Sequence, residues 1–299
     1  MSGFLPSVFL FLTLCTGLIP CRAAGKEAGP GPRPPILDAR YAPARPDLPE
    51  DQLSSDRILD VFFPSCPPPR GGYPVVVFIH GGGFKNGDKS TSGSIGPIRD
   101  SLLSHGFVFV SANYYLTLHF HDKGVSCGSE MRNGFPESGA FDPSIQRAID
   151  DASEDICLAL KYLRSRRREL HLDMDRVALC GGSAGAITAL NVAYVVKPRA
   201  PRVRAVVNCW GAISDVGKIG PGAPPTLTLH GSEDNLIHVV YGKEIHRRLL
   251  EVGSSASELY VMEGRGHAQY VHVGKHLMDT TVLPFLERVM NVKTQKKCR

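Results

Sequence analysis

Short apolar segments that alternate with helical patterns constrain the fold of this chain most. Between residues 56 and 292, continuous apolar runs are followed by stretches whose apolar residues recur at helical spacing. Strands that are apolar on both sides are buried on both faces, as in parallel sheets covered by helices. The pattern predicts an α/β fold, with a mostly parallel central sheet, helices on both faces and a single domain. The expected strands are 61–63, 75–79, 107–111, 177–180, 203–208, 226–230 and 259–262.

The N-terminal region has a different composition. Residues 1–23 hold a mostly apolar run that ends in small residues, which is typical of a cleaved signal peptide, although the first three residues carry no Lys or Arg. A retained membrane anchor is the alternative, but Pro6 and Gly17 interrupt the run, which is short for a bilayer span. We therefore expect a secreted or secretory-pathway lumenal protein with no stable membrane span in the mature chain.

Three further segments complete the expected organisation. Residues 24–55 are rich in Pro, Gly and Arg with little periodicity, so we expect them to wrap over the surface rather than form a core element. Residues 56–292 would form the folded domain, and residues 293–299 a basic tail.

One stretch of the domain, residues 114–143, is long and irregular and contains several glycines. Because it follows the strand at 107–111, we expect a lid or pocket loop over the carboxyl ends of the strands, where open α/β sheets bind ligands. Phe120, Phe135 and Phe141 would then form an apolar wall or belong to the core. A mobile surface insertion is the alternative.

Composition and charge argue against several classes of protein. The chain of 299 residues is 42% hydrophobic and 21% charged, which is ordinary for a globular protein and argues against a disordered or fibrous one. The net charge of +5 is modest, and the basic residues are scattered apart from 164–168 and the tail. We therefore expect no nucleic-acid partner.

Loss of residues 1–23 would leave six cysteines, an even number that an oxidising compartment could pair. Cys180 and Cys209 close apolar strands, so we expect buried free thiols there. The candidates for disulfides, whose pairing the sequence leaves open, are Cys66, Cys127, Cys157 and Cys298.

The most informative motif is Gly-Gly-Ser-Ala-Gly at residues 181–185, between a predicted strand and a predicted helix. A serine on such a turn is exposed at the edge of the sheet, and glycines let the helix approach the strand closely. The helix N-terminus also favours a developing anion. Ser183 is therefore the candidate nucleophile, although a structural or phosphate-binding turn could have the same glycines.

A second glycine-rich segment, His80-Gly-Gly-Gly-Phe84, follows the strand at 75–79. Acyl transfer passes through an oxyanion that needs preorganised N–H donors. Gly82 and Gly83 are the expected donors in this loop, and the N–H of Ala184 is the third. No phosphate-binding fingerprint accompanies the loop.

A serine nucleophile also needs a base and an orienting carboxylate. Asp234 follows the strand at 226–230, and His267 follows the strand at 259–262. We assign Asp234 as the acid and His267 as the base. Glu233 and Asp215 are weaker candidates for the acid, and His272 and His276 are weaker bases.

Together these motifs resemble the α/β-hydrolase superfamily, and within it the esterases and lipases with an HGGG loop. The resemblance rests on residues 80–88, 175–185 and 230–234, covers roughly 56–292, and implies the α/β-hydrolase fold with a Ser, Asp, His triad in that chain order. The segment from His80 to Lys89 is particularly similar to carboxylesterase-like and feruloyl or acetyl esterase-like members. After Leu116 the sequence departs from the pattern common in such esterases.

The expected function is hydrolysis of a carboxylic ester through an acyl-enzyme, with a small-molecule or glycan-linked ester as substrate. An amidase or peptidase on the same triad is one alternative, and a non-catalytic ligand-binding or adhesion protein with a hydrolase fold is another. We expect no cofactor and no metal. A metal site at His119, His121 and Asp122 is the weaker interpretation, since alternation on a strand or loop explains these residues as well and no further ligand is evident. The sequence leaves the oligomeric state open.

Overall fold

The computed structural model describes residues 1, 3, 33–46, 48–90 and 93–293. The chain divides into two compact units, Met1–Pro30 and Gly31–Arg299, and the fold below is that of the second. The predicted signal peptide therefore lies almost entirely outside the described residues, as does most of the basic tail.

Eight strands form one sheet in the described part of the chain, in the order β1-β2-β4-β3-β5-β6-β7-β8. β3 to β8 are parallel to one another, whereas β2 pairs antiparallel with both β1 and β4. The seven predicted strands each overlap an observed one. The strands are β1 (Ile36–Arg40), β2 (Ile58–Phe62), β3 (Tyr73–Ile79), β4 (Val108–Ala112), β5 (Leu172–Gly182), β6 (Val203–Cys209), β7 (Thr226–Gly231) and β8 (Glu258–Met262).

Helices connect the strands. Two π-helical turns, Val192–Val196 and Val273–Val282, continue α6 and α8, and short 3-10 turns lie at Gly93–Ile95 and Val216–Lys218. The α-helices are α1 (Glu50–Leu53), α2 (Gly96–Ser104), α3 (Thr117–Phe120), α4 (Cys127–Met131), α5 (Pro143–Ser165), α6 (Ala184–Asn191), α7 (Val240–Glu251), α8 (Tyr270–His272) and α9 (Leu283–Val289).

The core lies on both faces of the sheet. In β3, Val75, Val77 and Ile79 belong to one buried cluster, whereas Val76 and Phe78 belong to a second cluster. Successive side chains of a strand point to opposite faces, so a continuously apolar strand supplies both clusters. The predicted α/β architecture is confirmed.

The N-terminal segment contains one strand that the sequence did not predict. β1 is a half-exposed edge strand, and Asp38 within it has a φ of 53°, at an irregularity in the pairing with β2. The segment lacks the alternation that would mark a strand, because the bulge interrupts the period of two. The sequence therefore did not indicate the strand at residues 36–40, although its half-exposed place at the edge of the sheet is compatible with a segment that wraps over the surface.

Residues 114–143 contain two short helices, α3 and α4. The phenylalanines of this stretch do not line the cavity at Ser183, so the expected apolar wall was wrong for them. Phe141 is buried in the core, Phe135 packs on Tyr241 at 4.4 Å between ring centroids, and Phe120 stacks on Tyr115 at 5.3 Å.

The cysteines follow the predictions in part. Cys180 and Cys209 are buried free thiols, as expected. Cys127 and Cys157 are also free, so assigning them to disulfides was wrong: each is packed within the hydrophobic core or against it. Cys66 is not among the free thiols, and Cys298 lies outside the described residues.

Candidate active site

Ser183 lies at the turn between β5 and α6, with φ of 56° and ψ of −125°. A non-glycine residue in this backbone conformation is strained, and such strain persists only where the surrounding structure holds it. The Ser183 N–H donates to the carbonyl of Cys209 at 3.0 Å, which ties the turn to the end of β6. The strained turn is the one expected of a nucleophile between a strand and a helix.

Glycines at this turn allow α6 to approach the sheet. A side chain at position 185 would overlap the carbonyl group of Ile79, and one at position 181 would overlap the backbone of Gly185. Both positions therefore require glycine for close approach rather than for a positive φ. This confirms the reason that the sequence suggested for Gly181 and Gly185.

The structure brings Ser183, His267 and Asp234 into one hydrogen-bonded line. His267 Nε2 lies 2.9 Å from Ser183 Oγ, and His267 Nδ1 lies 2.7 Å from Asp234 Oδ2. Because an ionised carboxylate only accepts, Nδ1 carries the proton and Nε2 is free to accept from the serine hydroxyl. These are the distances that nucleophile activation requires.

Asp234 is held as a carboxylate. Its side chain is fully buried, and its Oδ1 accepts the N–H groups of Leu236 and Ile237, each at 2.9 Å. Burial alone would raise the pKa of Asp234, but hydrogen bonds from His230, His267 and the Ile237 N–H outweigh it and hold that pKa well below its usual range. Asp234 therefore stays negative at neutral pH and stabilises a charged His267.

The three N–H groups expected to bind the oxyanion are not used in hydrogen bonds among the described residues. In the described part of the chain, the N–H groups of Gly82 and Gly83 make no hydrogen bond, and Ala184 is the first residue of α6, where an N–H has no partner within the helix. Gly82 and Gly83 have positive φ values of 113° and 62°, which a glycine adopts without strain.

His80 and His230 are structural groups beside the site. His80 Nδ1 lies 2.7 Å from the carbonyl oxygen of Gly81, and its ring stacks on Tyr114. His230 Nε2 lies 2.8 Å from the carbonyl oxygen of Ile237. Both rings therefore hold the backbone of a candidate catalytic loop.

The weaker candidates lie elsewhere. Asp215 caps the 3-10 turn through the Gly217 N–H, and Asp234 takes the position that Glu233 could have held. His272 and His276 contact each other, with ring centroids 5.1 Å apart. No group of three or more metal-ligating side chains occurs among the described residues.

A cavity of about 590 Å³ opens at Ser183. The lining residues that the sequence did not indicate include Ser126, Cys127 and Gly128 from the 114–143 stretch, Leu236 and Ile237 from the Asp234 loop, and Trp210 and Tyr270. Most follow the carboxyl ends of strands, which is the one signal that could have indicated them. Burial raises the pKa of Cys127 to about 12, so its thiol stays protonated and does not compete with Ser183.

Two family models and one curated relative match parts of the chain. A family model described as BD-FAE matches residues 59–121, and one described as alpha/beta hydrolase fold matches residues 144–218. Esterase LipI of Mycobacterium tuberculosis (strain ATCC 25618 / H37Rv) is 24% identical over 193 residues, which are 63% of this chain and 51% of that protein. The chain thus spans about half the length of this curated relative.

Two solved structures are similar in fold. A truncated carbohydrate esterase from gut microbiota has a TM-score of 0.62 at 16% identity, over 88% of this chain and 100% of that one. Esterase 2 of the Planctomycetes species Thermogutta terrifontis has a TM-score of 0.60 at 17% identity, over 77% of this chain and 87% of that one. The chain has the α/β-hydrolase fold, and the resemblance drawn from its motifs is confirmed.

Proposed function

We propose that this chain is a serine hydrolase that cleaves carboxylic esters through an acyl-enzyme intermediate. The observation that carries the proposal is the line from Ser183 Oγ through His267 to the buried carboxylate of Asp234, with contacts of 2.9 and 2.7 Å. A protein that uses the hydrolase fold only for binding does not require a hydrogen-bonded Ser, His, Asp triad. An adhesion role is therefore the weaker explanation.

The first half-reaction forms the acyl-enzyme. The Ser183 oxygen attacks the ester carbonyl carbon while His267 Nε2 takes the hydroxyl proton. The carbonyl oxygen becomes an oxyanion, which the N–H groups of Gly82, Gly83 and Ala184 stabilise. Each such donor is typically worth about 2.7 to 4 kcal/mol in the transition state. When the intermediate collapses, the alcohol leaves with the proton from His267.

The second half-reaction releases the acid. His267 takes a proton from water, whose oxygen attacks the acyl carbon, and the same N–H groups bind the second oxyanion. The bond to Ser183 then breaks, and the serine oxygen regains its proton from His267. Every proton moves through His267, so the chemistry needs no cofactor.

An ester is the favoured substrate because the similar proteins are named esterases, among them a carbohydrate esterase. One of the similar structures is Thermogutta terrifontis esterase 2 phosphorylated by paraoxon, so that relative reacts with an electrophilic phosphorus ester. We extend this to small-molecule or glycan-linked esters for the present chain, because its cavity combines apolar side chains with a polar loop at residues 85–88.

Turnover of matched substrates tests this proposal. We expect hydrolysis of p-nitrophenyl acetate and butyrate by the wild-type chain, far slower hydrolysis of the matching p-nitroanilides, and loss of both activities in Ser183→Ala. Preferred hydrolysis of anilides or aminoacyl amides would favour the amidase or peptidase. A folded wild-type chain with no turnover of any of these compounds would favour the binding protein.

We further propose that the chain enters the secretory pathway and that Cys66 and Cys298 are the remaining disulfide candidates. The support is the apolar run within residues 1–23, followed by small residues, and an even number of cysteines after it. Within the described residues no helix is long and apolar enough to cross a membrane. N-terminal sequencing of protein from a secreting cell line should give a start near residue 24, whereas retention of Met1 would contradict cleavage.

A further inference from the structure

The Tyr270 hydroxyl is a buried polar atom beside the candidate active site that has no hydrogen-bond partner among the described residues. Its ring is fixed by two aromatic neighbours, Trp210 at 4.9 Å and Phe78 at 6.3 Å between centroids. Tyr270 also lines the cavity that opens at Ser183. The side chain is therefore held firmly at the reaction site while its hydroxyl is left unsatisfied.

An unsatisfied buried hydroxyl destabilises a folded protein, because the group loses water and gains nothing in return. Phenylalanine would keep the ring contacts with Trp210 and Phe78 without this cost. Among the described residues, the fold therefore gains no hydrogen bond from the hydroxyl at position 270.

The position of the hydroxyl suggests what it does. The Tyr270 hydroxyl lies against Gly182, where any side chain would overlap the hydroxyl oxygen. A methyl group built on Gly81 would lie 3.1 Å from the same oxygen. Gly182 immediately precedes Ser183, and Gly81 immediately precedes Gly82 and Gly83. The same methyl group on Gly81 would be 3.5 Å from Ser183 Cβ. The Tyr270 oxygen thus lies against both the nucleophile turn and the loop that carries the oxyanion donors, at a point where the Gly182 carbonyl oxygen also lies 2.9 Å from the methyl group built on Gly81.

We infer that Tyr270 is a positioning residue whose hydroxyl oxygen, packed against both segments, helps to fix the spacing between the Ser183 turn and the Gly82–Gly83 donors. The inference rests on the proposed function, because the spacing matters only if an oxyanion forms there. Without the oxygen, the turn and the loop lose this shared contact and can shift relative to each other. Errors of about 1 Å in such an arrangement can reduce a rate on the order of 100-fold.

Tyr270→Phe tests the inference, with Tyr194→Phe as the matched control. Tyr194 lies on the π-helical turn after α6, outside the cavity. Its hydroxyl is buried and forms a hydrogen bond with Thr226. For Tyr270→Phe we expect kcat for p-nitrophenyl acetate to fall on the order of 10- to 100-fold, KM to stay within about twofold, and Tm to stay equal or rise. Tyr194→Phe should show the opposite result, with a lower Tm and an unchanged kcat.

Three results would overturn the inference. The first is a kcat of Tyr270→Phe within twofold of wild type. The second is a kcat that falls only together with Tm. The third is a raised KM at unchanged kcat, which would indicate that Tyr270 contributes to ordinary substrate binding. All three presuppose an active wild-type chain. If wild type itself hydrolyses no ester, the proposed function fails instead, so the two failures are distinguishable.

Discussion

At the residue scale, the strained backbone of Ser183 and the buried carboxylate of Asp234 together position the Ser183 hydroxyl and the His267 ring. Ser183 has a positive φ and its hydroxyl lies 2.9 Å from His267 Nε2, while the hydrogen bonds to Asp234 fix the carboxylate that orients His267. All three residues could be predicted, because each follows the end of an apolar strand in a motif with a chemical reason. Tyr270 could not, since its role depends on a contact with glycines that are distant in sequence.

His80 should make the fold sensitive to acid. Burial lowers the pKa of His80 to about 4, against 6.5 for a free histidine, and the hydrogen bond with Gly81 opposes this only in part. Between these values the unfolded chain binds the proton and the folded chain does not, so stability falls as the pH is lowered from about 6.5 to 4. The loss from this one group is about 3 kcal/mol.

Urea denaturation of wild type and His80→Phe at pH 7 and pH 4 checks this prediction. Phenylalanine keeps the ring stacking on Tyr114 but cannot titrate. The variant should lose about 3 kcal/mol less stability than wild type across this pH range. Equal losses in the two chains would show that other groups, such as the lowered-pKa histidines His246 and His272, dominate the acid response.

At the element scale, a buried carboxylate connects α5 to the N-terminal segment. Asp155 of α5 has a fully buried side chain that pairs with Arg45 at 2.8 Å and with Arg57 at 3.0 Å. It also accepts the N–H of Tyr115 at 2.9 Å, where the 114–143 stretch begins. A charge pair so distant in sequence leaves no local pattern, which is why neither this connection nor the irregular strand β1 could be predicted.

Asp155→Ala should therefore destabilise the fold severely. Removing the carboxylate leaves the largely buried guanidinium of Arg57 without its ionic partner and that of Arg45 with Asp56 alone, and breaking a buried pair typically costs about 3 to 5 kcal/mol. Glu169→Ala is the control, because its pair with Arg166 is exposed on both sides and salt and water screen it. Free energies of unfolding from urea titration should fall strongly for Asp155→Ala and scarcely for Glu169→Ala. Similar values for the two variants would contradict a stabilising role for the buried network.

At the scale of the whole molecule, the parallel sheet explains why residues far apart in sequence form one site. β3, β5, β7 and β8 run in the same direction, so the segments that follow them meet at one edge. The sequence predicted this meeting because the strands are continuously apolar and the motifs follow them. The sequence did not predict the walls of the cavity. The helix α4 and the loop after Asp234 become neighbours only through tertiary contacts. One such contact is the hydrogen bond from the His238 N–H to the Met131 carbonyl at 3.1 Å.

Covalent labelling of the folded chain tests the central claim most directly. A fluorophosphonate should add once per chain, and peptide mapping by mass spectrometry should place the adduct on Ser183, since His267 and the N–H donors activate that hydroxyl alone. Ser183→Ala should give no adduct while keeping the wild-type Tm. A folded wild-type chain that forms no adduct, or that carries it on another residue, would contradict the assignment of Ser183 as the nucleophile.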